Sequence, residues 1–70
     1  MNVIETWEYN SALAKAYRLK AEAYRWDARA HELRGEQQEA LDYRKMASSM
    51  DWNAAQHELW AREAPDAPGG

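Results

Sequence analysis

Two dipeptides, His31-Glu32 and His57-Glu58, are the residues of this sequence best suited to proton transfer or metal ligation. An imidazole beside a carboxylate can shuttle protons near neutral pH or bind a transition metal. The helical di-iron pattern, however, places Glu three residues before His, and those positions are Ala28 and Ala54. Thr6, Ser11, Ser48 and Ser49 have no His at helical contact spacing, so none is set up as a nucleophile. There is no Gly-rich phosphate loop and no Cys, which removes thiolate metal sites, Cys nucleophiles and disulfide scaffolds. These residues therefore predict no catalytic, cofactor-binding or metal site, and a protein that is not an enzyme. Each His is expected at a half-buried helix contact, bonded to a neighbouring acid or carbonyl.

The elements that must position these residues are two long helices. Asn2 with Glu5 forms a capping-box pattern that starts helix 1 near Val3, with Thr6 as the alternative cap. No Gly or Pro interrupts the chain until Gly35, which suits the left-handed position after a helix. Helix 1 is thus expected at about 3–34, the turn at 35 and helix 2 at about 36–62, making 1–63 a hairpin. Pro65 and Pro68 stop helix 2, and 64–70 reads as a disordered tail. With the turn at Gly35, His57 falls level with about Leu13. That leaves it roughly 27 Å from His31 at ~1.5 Å per residue, too far for a shared site within one chain.

Composition agrees with an all-α fold. Fourteen of the 70 residues are Ala, only seven are Val, Ile or Leu, and bulk comes from four Trp, four Tyr and three Met. β-branched residues are too scarce for a sheet. The inner seam runs Val3, Trp7, Asn10, Ala14, Tyr17, Ala21, Tyr24, Ala28, His31 in helix 1 and Ala40, Tyr43, Ala47, Met50, Ala54, His57, Ala61 in helix 2. This is a heptad pattern of Ala alternating with a ring. At an offset of 26 the helices share nine identities, among them Tyr17/Tyr43, Arg18/Arg44, Trp26/Trp52, His31/His57 and Leu33/Leu59. Gly35, Ala40, Tyr43 and Ala47 are similar to the turn and second helix of a tetratricopeptide repeat. The helices are too long for that unit and no second copy stands at its period of about 34 residues, so the chain reads as a generic hairpin.

Helix 1 carries a second apolar seam, Ala12, Ala16, Leu19, Ala23, Trp26, Ala30 and Leu33, on nearly the opposite face. One hairpin partner can cover only one of the two. The expected architecture is therefore an antiparallel two-helix hairpin with an Ala/Tyr heptad seam, pairing as a homodimeric four-helix bundle. Trp7 and Trp60 are expected to clamp the open end with Ile4.

Charge sets the partner classes. The net charge is −3 and the isoelectric point about 5.3, with a local excess of basic residues in 12–34 and of acidic residues after Gly35. Lys15, Arg18, Arg25 and Arg29 share one flank, but Glu22 and Glu32 interrupt it, so nucleic acid is a weak candidate. No apolar run approaches a membrane span and nothing resembling a signal peptide follows Met1, which points to a cytoplasmic protein without membrane contact. The function expected is a non-enzymatic interaction module: a small dimeric inhibitor or regulator that occludes a larger, unidentified protein. The analogy, at the level of fold alone, is with short helical antiactivators and phage-encoded inhibitors of bacterial host proteins. Interfaces favour Trp, Tyr and Arg, which selects Leu19, Arg25, Trp26, Arg29, Leu33, Trp52 and Leu59 for the partner or dimer surface. The alternatives are a structural or assembly adaptor, and a nucleic-acid-associated regulator using the basic flank.

Overall fold

The computed structural model describes residues 2–69 and is all-helical, with two helices packed against each other as a hairpin. Met1 and Gly70, the ends of the expected hairpin and tail, lie outside the described residues. A short 3-10 turn, Val3–Glu5, precedes α1 (Trp7–Leu33) and α2 (Gln37–Glu63), and the molecule measures 49 × 17 × 13 Å.

The start of α1 is Thr6 rather than Asn2. Asn2 does cap, its Oδ1 accepting the Ile4 N–H at 3.3 Å, but only for the 3-10 turn. Thr6 is extended, and its hydroxyl donates to the Val3 carbonyl while accepting the Tyr9 N–H. A threonine in that conformation satisfies one of the orphan donors of the first turn. At the other end Gly35 has φ of +78°, its N–H bonds to the Glu32 carbonyl, and the Glu36 N–H bonds to that of His31. This pair of bonds is the glycine stop expected from the sequence, and it reverses the chain tightly enough to fix the register of α2 on α1.

The core is a ladder of alanines. Ala14, Ala21 and Ala28 of α1 face Ala40, Ala47, Ala54 and Ala61 of α2, and all seven are buried. Among the described residues no large side chain is fully enclosed. Small residues every seventh position let two helix axes approach toward the ~8 Å end of their range, which leaves no depth for a ring between them. The rings lie instead along one side of the ladder. Tyr17 stacks on His57 at 5.6 Å, Tyr24 meets Tyr43 at 6.0 Å, and His31 stacks on Tyr43 at 5.1 Å.

The segment after α2, expected as a disordered tail, folds back onto α1 over its described part. Ala64 is extended, as a residue before proline must be. The Ala67 N–H then bonds to the Ala64 carbonyl, closing a turn with Pro65 at its second position. The turn delivers Asp66, whose Oδ1 accepts the Trp7 N–H at 2.8 Å across 59 residues of chain. A carboxylate at a helix N-terminus is favoured by both the free N–H groups and the helix dipole. Asp66→Ala is therefore expected to cost about 1 kcal/mol. For a domain of this size that lowers the melting temperature by roughly 4–8 °C; an unchanged melting curve would mean that the clasp contributes nothing.

Candidate interaction surface

The two histidines sit at opposite ends of the ring stack, each held by one polar partner. His31 Nδ1 donates to Glu36 Oε1 at 2.8 Å beside the turn. At the open end the partner is Asn10, a buried carboxamide whose Nδ2 donates to the carbonyls of Ile4 and Thr6 at 3.0 Å each. With its NH2 committed, the amide can only present Oδ1 to His57, 2.8 Å away. His57 must then carry its proton on Nδ1. In each imidazole it is Nδ1 that is bonded, which fixes the ring against its neighbouring helix. Among the described residues, no group of three or more His, Asp or Glu side chains converges on a point where a metal could sit.

Offset by 26, these contacts repeat. Tyr17 on His57 corresponds to Tyr43 on His31, and His57 with Asn10 to His31 with Glu36. The ion pairs on the flank obey the same relation. Arg18 binds Glu58 through Nε at 3.1 Å and Nη2 at 2.7 Å, and Arg44 binds Glu32 at 2.7 Å. Asp51 lies between Arg18 and Arg25, accepting from Arg18 at 3.0 Å and also pairing with Arg25. Arg25 and Asp51 are themselves 26 apart, so a pseudo-two-fold axis passes between them.

These pairings divide the basic flank that the sequence presents as one stripe. Arg18 and Arg25 turn toward α2 and are neutralised there. Arg29 is further round the helix, 3.9 Å from Glu32. The Arg25 and Arg18 guanidinium groups hold the Asp51 carboxyl below the usual aspartate range, and the Arg18 bond holds Glu58 below the usual glutamate range. Arg18 is correspondingly raised by Glu58 and Asp51. Asp51 was not among the residues selected from sequence. Its signal was the register: a turn at Gly35 sets residue 51 between Arg18 and Arg25 on the neighbouring helix.

Of the residues selected for an interface, Leu19, Trp26 and Leu33 are 57 %, 70 % and 71 % exposed, and Trp52 is 65 % exposed. They do not form one patch. Trp26 lies two residues from the ring Tyr24, roughly 200° around the helix, so the Leu19/Trp26/Leu33 row points away from α2. Trp52 and Leu59 occupy the equivalent outward side of α2, putting the two tryptophans on opposite edges of the hairpin. Arg25 stays on the flank with Asp51. Trp7 and Trp60, expected to clamp the open end together with Ile4, line separate grooves. A groove of about 580 Å³ runs past Trp7, Ala14, Lys15, Glu58 and Arg62. Another, of about 400 Å³, lies between Ile4, Asn10, Trp60 and Pro65. His57 meets the Trp60 ring edge-on at 5.1 Å. No helix among the described residues is long and apolar enough to cross a membrane.

Compared with known protein families, with characterised proteins and with solved structures, the chain finds no match.

The carboxylates of the flank make stability pH-dependent. Asp51 and Glu58 stay ionised to lower pH in the folded chain than in the unfolded one, because arginines hold them. Their contribution is complete above the ordinary carboxylate range and is lost as pH falls through their depressed folded values. Denaturation midpoints should therefore be level from about pH 7 to 5 and fall below about pH 4. In Asp51→Asn the midpoint should be lower at neutral pH, with a smaller acid decline. A decline as steep as that of the unaltered protein would place the acid sensitivity elsewhere. Separately, His57→Phe leaves the buried Asn10 Oδ1 without its donor, and a loss of about 1–3 kcal/mol is expected in denaturant unfolding.

Proposed function

We propose that this protein is a non-catalytic interaction module of the cytoplasm: hairpins that associate into a homodimer of four helices and act by occluding the surface of a larger protein. The observation that carries the reading is the distribution of bulk. Among the described residues the hairpin encloses only alanines and Asn10, while Leu19, Trp26, Leu33 and Trp52 stand in solvent. A row of large apolar side chains directed away from the chain's own partner helix marks a surface that another protein covers. Tryptophan and arginine on such a surface are the residue types that dominate binding energy elsewhere. Neutralisation of Arg18 and Arg25 by Asp51 and Glu58 favours a protein partner over phosphate.

One observation favours the assembly-adaptor alternative. Trp26 with Leu33 and Trp52 with Leu59 give the hairpin an apolar pair on each of two opposite edges, and two edges suffice to build a chain of subunits. A photocrosslinking residue at position 52, introduced into the protein in the cells that make it, separates the two. Occlusion of a partner predicts a discrete adduct with a larger protein that disappears in Leu59→Glu. Adducts only at multiples of 8.1 kDa would overturn that reading in favour of the adaptor.

A further inference from the structure

The two ends of the hairpin, related by the offset of 26, share their scaffold and differ around one groove. The groove at the open end is lined by Trp7, Ala14, Lys15, Glu58 and Arg62. Its counterpart beside the turn, of about 240 Å³, is lined by Glu32, Ala40, Leu41 and Arg44. Ala14 and Glu58 correspond to Ala40 and Glu32, the floor and the carboxylate that holds an arginine. What the open end adds is charge and a ring. Lys15 stands where the turn end has Leu41, Arg62 where it has Glu36, and Trp7 where it has Leu33.

These two cations are ones the hairpin itself does not use. Arg18, Arg25 and Arg44 each pair with an acid of the other helix, whereas among the described residues Lys15 and Arg62 have no ion-pair partner. Glu58, the carboxylate lining the groove, accepts from Arg18 through both of its oxygens. Glu8, in the first turn of α1, is not part of the lining. Two uncompensated positive charges therefore face one groove on a chain whose net charge is −3.

Register puts them on opposite walls. A turn at Gly35 that sets His57 level with Leu13 also sets Arg62 of α2 level with the first turn of α1, facing Trp7. It sets Lys15 of α1 level with Ala55 of α2. The cations are thus seven residues apart along the axis, roughly 10 Å at ~1.5 Å per residue. An extended peptide advances about 3.3 Å per residue and turns successive side chains to opposite sides. Residues three apart on such a peptide span the same distance and point to opposite walls.

Resting on the reading of the protein as an interaction module, we propose that this groove binds an extended acidic segment of the partner protein. Its pattern has two carboxylates three residues apart with apolar bulk between them. One carboxylate meets the planar fork of Arg62, the neighbouring apolar side chain lies on Trp7, and the second carboxylate reaches Lys15. A nucleic-acid backbone would need a longer run of cations than two, and would meet Glu58.

The probe is the peptide acetyl-Ser-Glu-Leu-Leu-Glu-Ser-amide, whose two leucines serve either chain direction. Titrated into isotope-labelled protein, it should move the Trp7 indole N–H resonance saturably, that signal being identified by its loss in Trp7→Phe. The analogue with Gln for both Glu should bind about tenfold or more weakly. Lys15→Glu and Arg62→Glu should each weaken the acidic peptide about tenfold with helix content retained, since both side chains are exposed. Leu41→Glu, at the counterpart of Lys15, should leave binding unchanged. The protein carrying both reversals should instead take the peptide with Lys for both Glu. Equal binding of the Gln analogue, shifts centred on Trp26 or Trp52, displacement by inorganic phosphate at the peptide's own concentration, or no saturable shift would each overturn the proposal. The interaction-module reading is decided separately, by the adduct formed from position 52, and stands or falls whatever this peptide does.

Discussion

The structure depends on how closely two helices approach when alanine occupies every seventh position of each. Seven buried alanines fill the interface, and among the described residues no large side chain is fully buried. Close approach has two consequences. The rings must lie to one side of the ladder, where Tyr17, Tyr24, Tyr43, His31 and His57 stack half-exposed. The remaining bulk must go outside, because burying a methyl contributes far less than burying a leucine and the seam has no room for more. The exposed Leu19/Trp26/Leu33 row is the complement of an all-alanine interior.

A thin core puts weight on the ends and the flanks. The glycine stop at Gly35, the Thr6 cap and the Asp66 clasp each satisfy backbone groups that a helix leaves open. The Arg18–Glu58 and Arg44–Glu32 pairs bracket the Arg25–Asp51 pair at the centre of the hairpin. Individually, exposed ion pairs of this kind are weak. As a register device they act together, since sliding α2 by one helical turn would part Arg44 from Glu32 and Glu58 from Arg18. The 26-residue likeness of the two helices is thus a spatial symmetry as well as a textual one. It breaks where Asn10 stands for Glu36, which gives one His an amide and the other a carboxylate.

The functional reading follows from the same distribution. With Arg18, Arg25, Asp51 and Glu58 paired between the helices, what the hairpin leaves uncovered is large apolar surface. That is the outer face of α1 and, on the opposite edge, Trp52 with Leu59. The first alternates bulk with alanine, whereas the second has Ser49 and Gln56 where the first has Ala23 and Ala30.

By itself the sequence determined what depends on single punctuating residues and on the spacing of the alanines. Gly35 placed the turn, the absence of Gly and Pro before it allowed one long helix, and of the expected inner seam the seven alanines and Asn10 are buried while Val3 and Trp7 are exposed. Turn position and helical rise together put His57 level with Leu13, and it lies between Asn10 and Tyr17. What tertiary structure decided is every contact that depends on the separation and rotation of the two helices. Asp51 as the shared partner of Arg18 and Arg25, the split of the basic stripe, and the separation of Trp7 from Trp60 are of this kind. So is the Asp66 clasp, in a segment whose composition reads as disorder. Periodicity specifies which way a side chain leaves its own helix. The reach of a long arginine, or of a proline turn back across the chain, is set by the distance to what it meets.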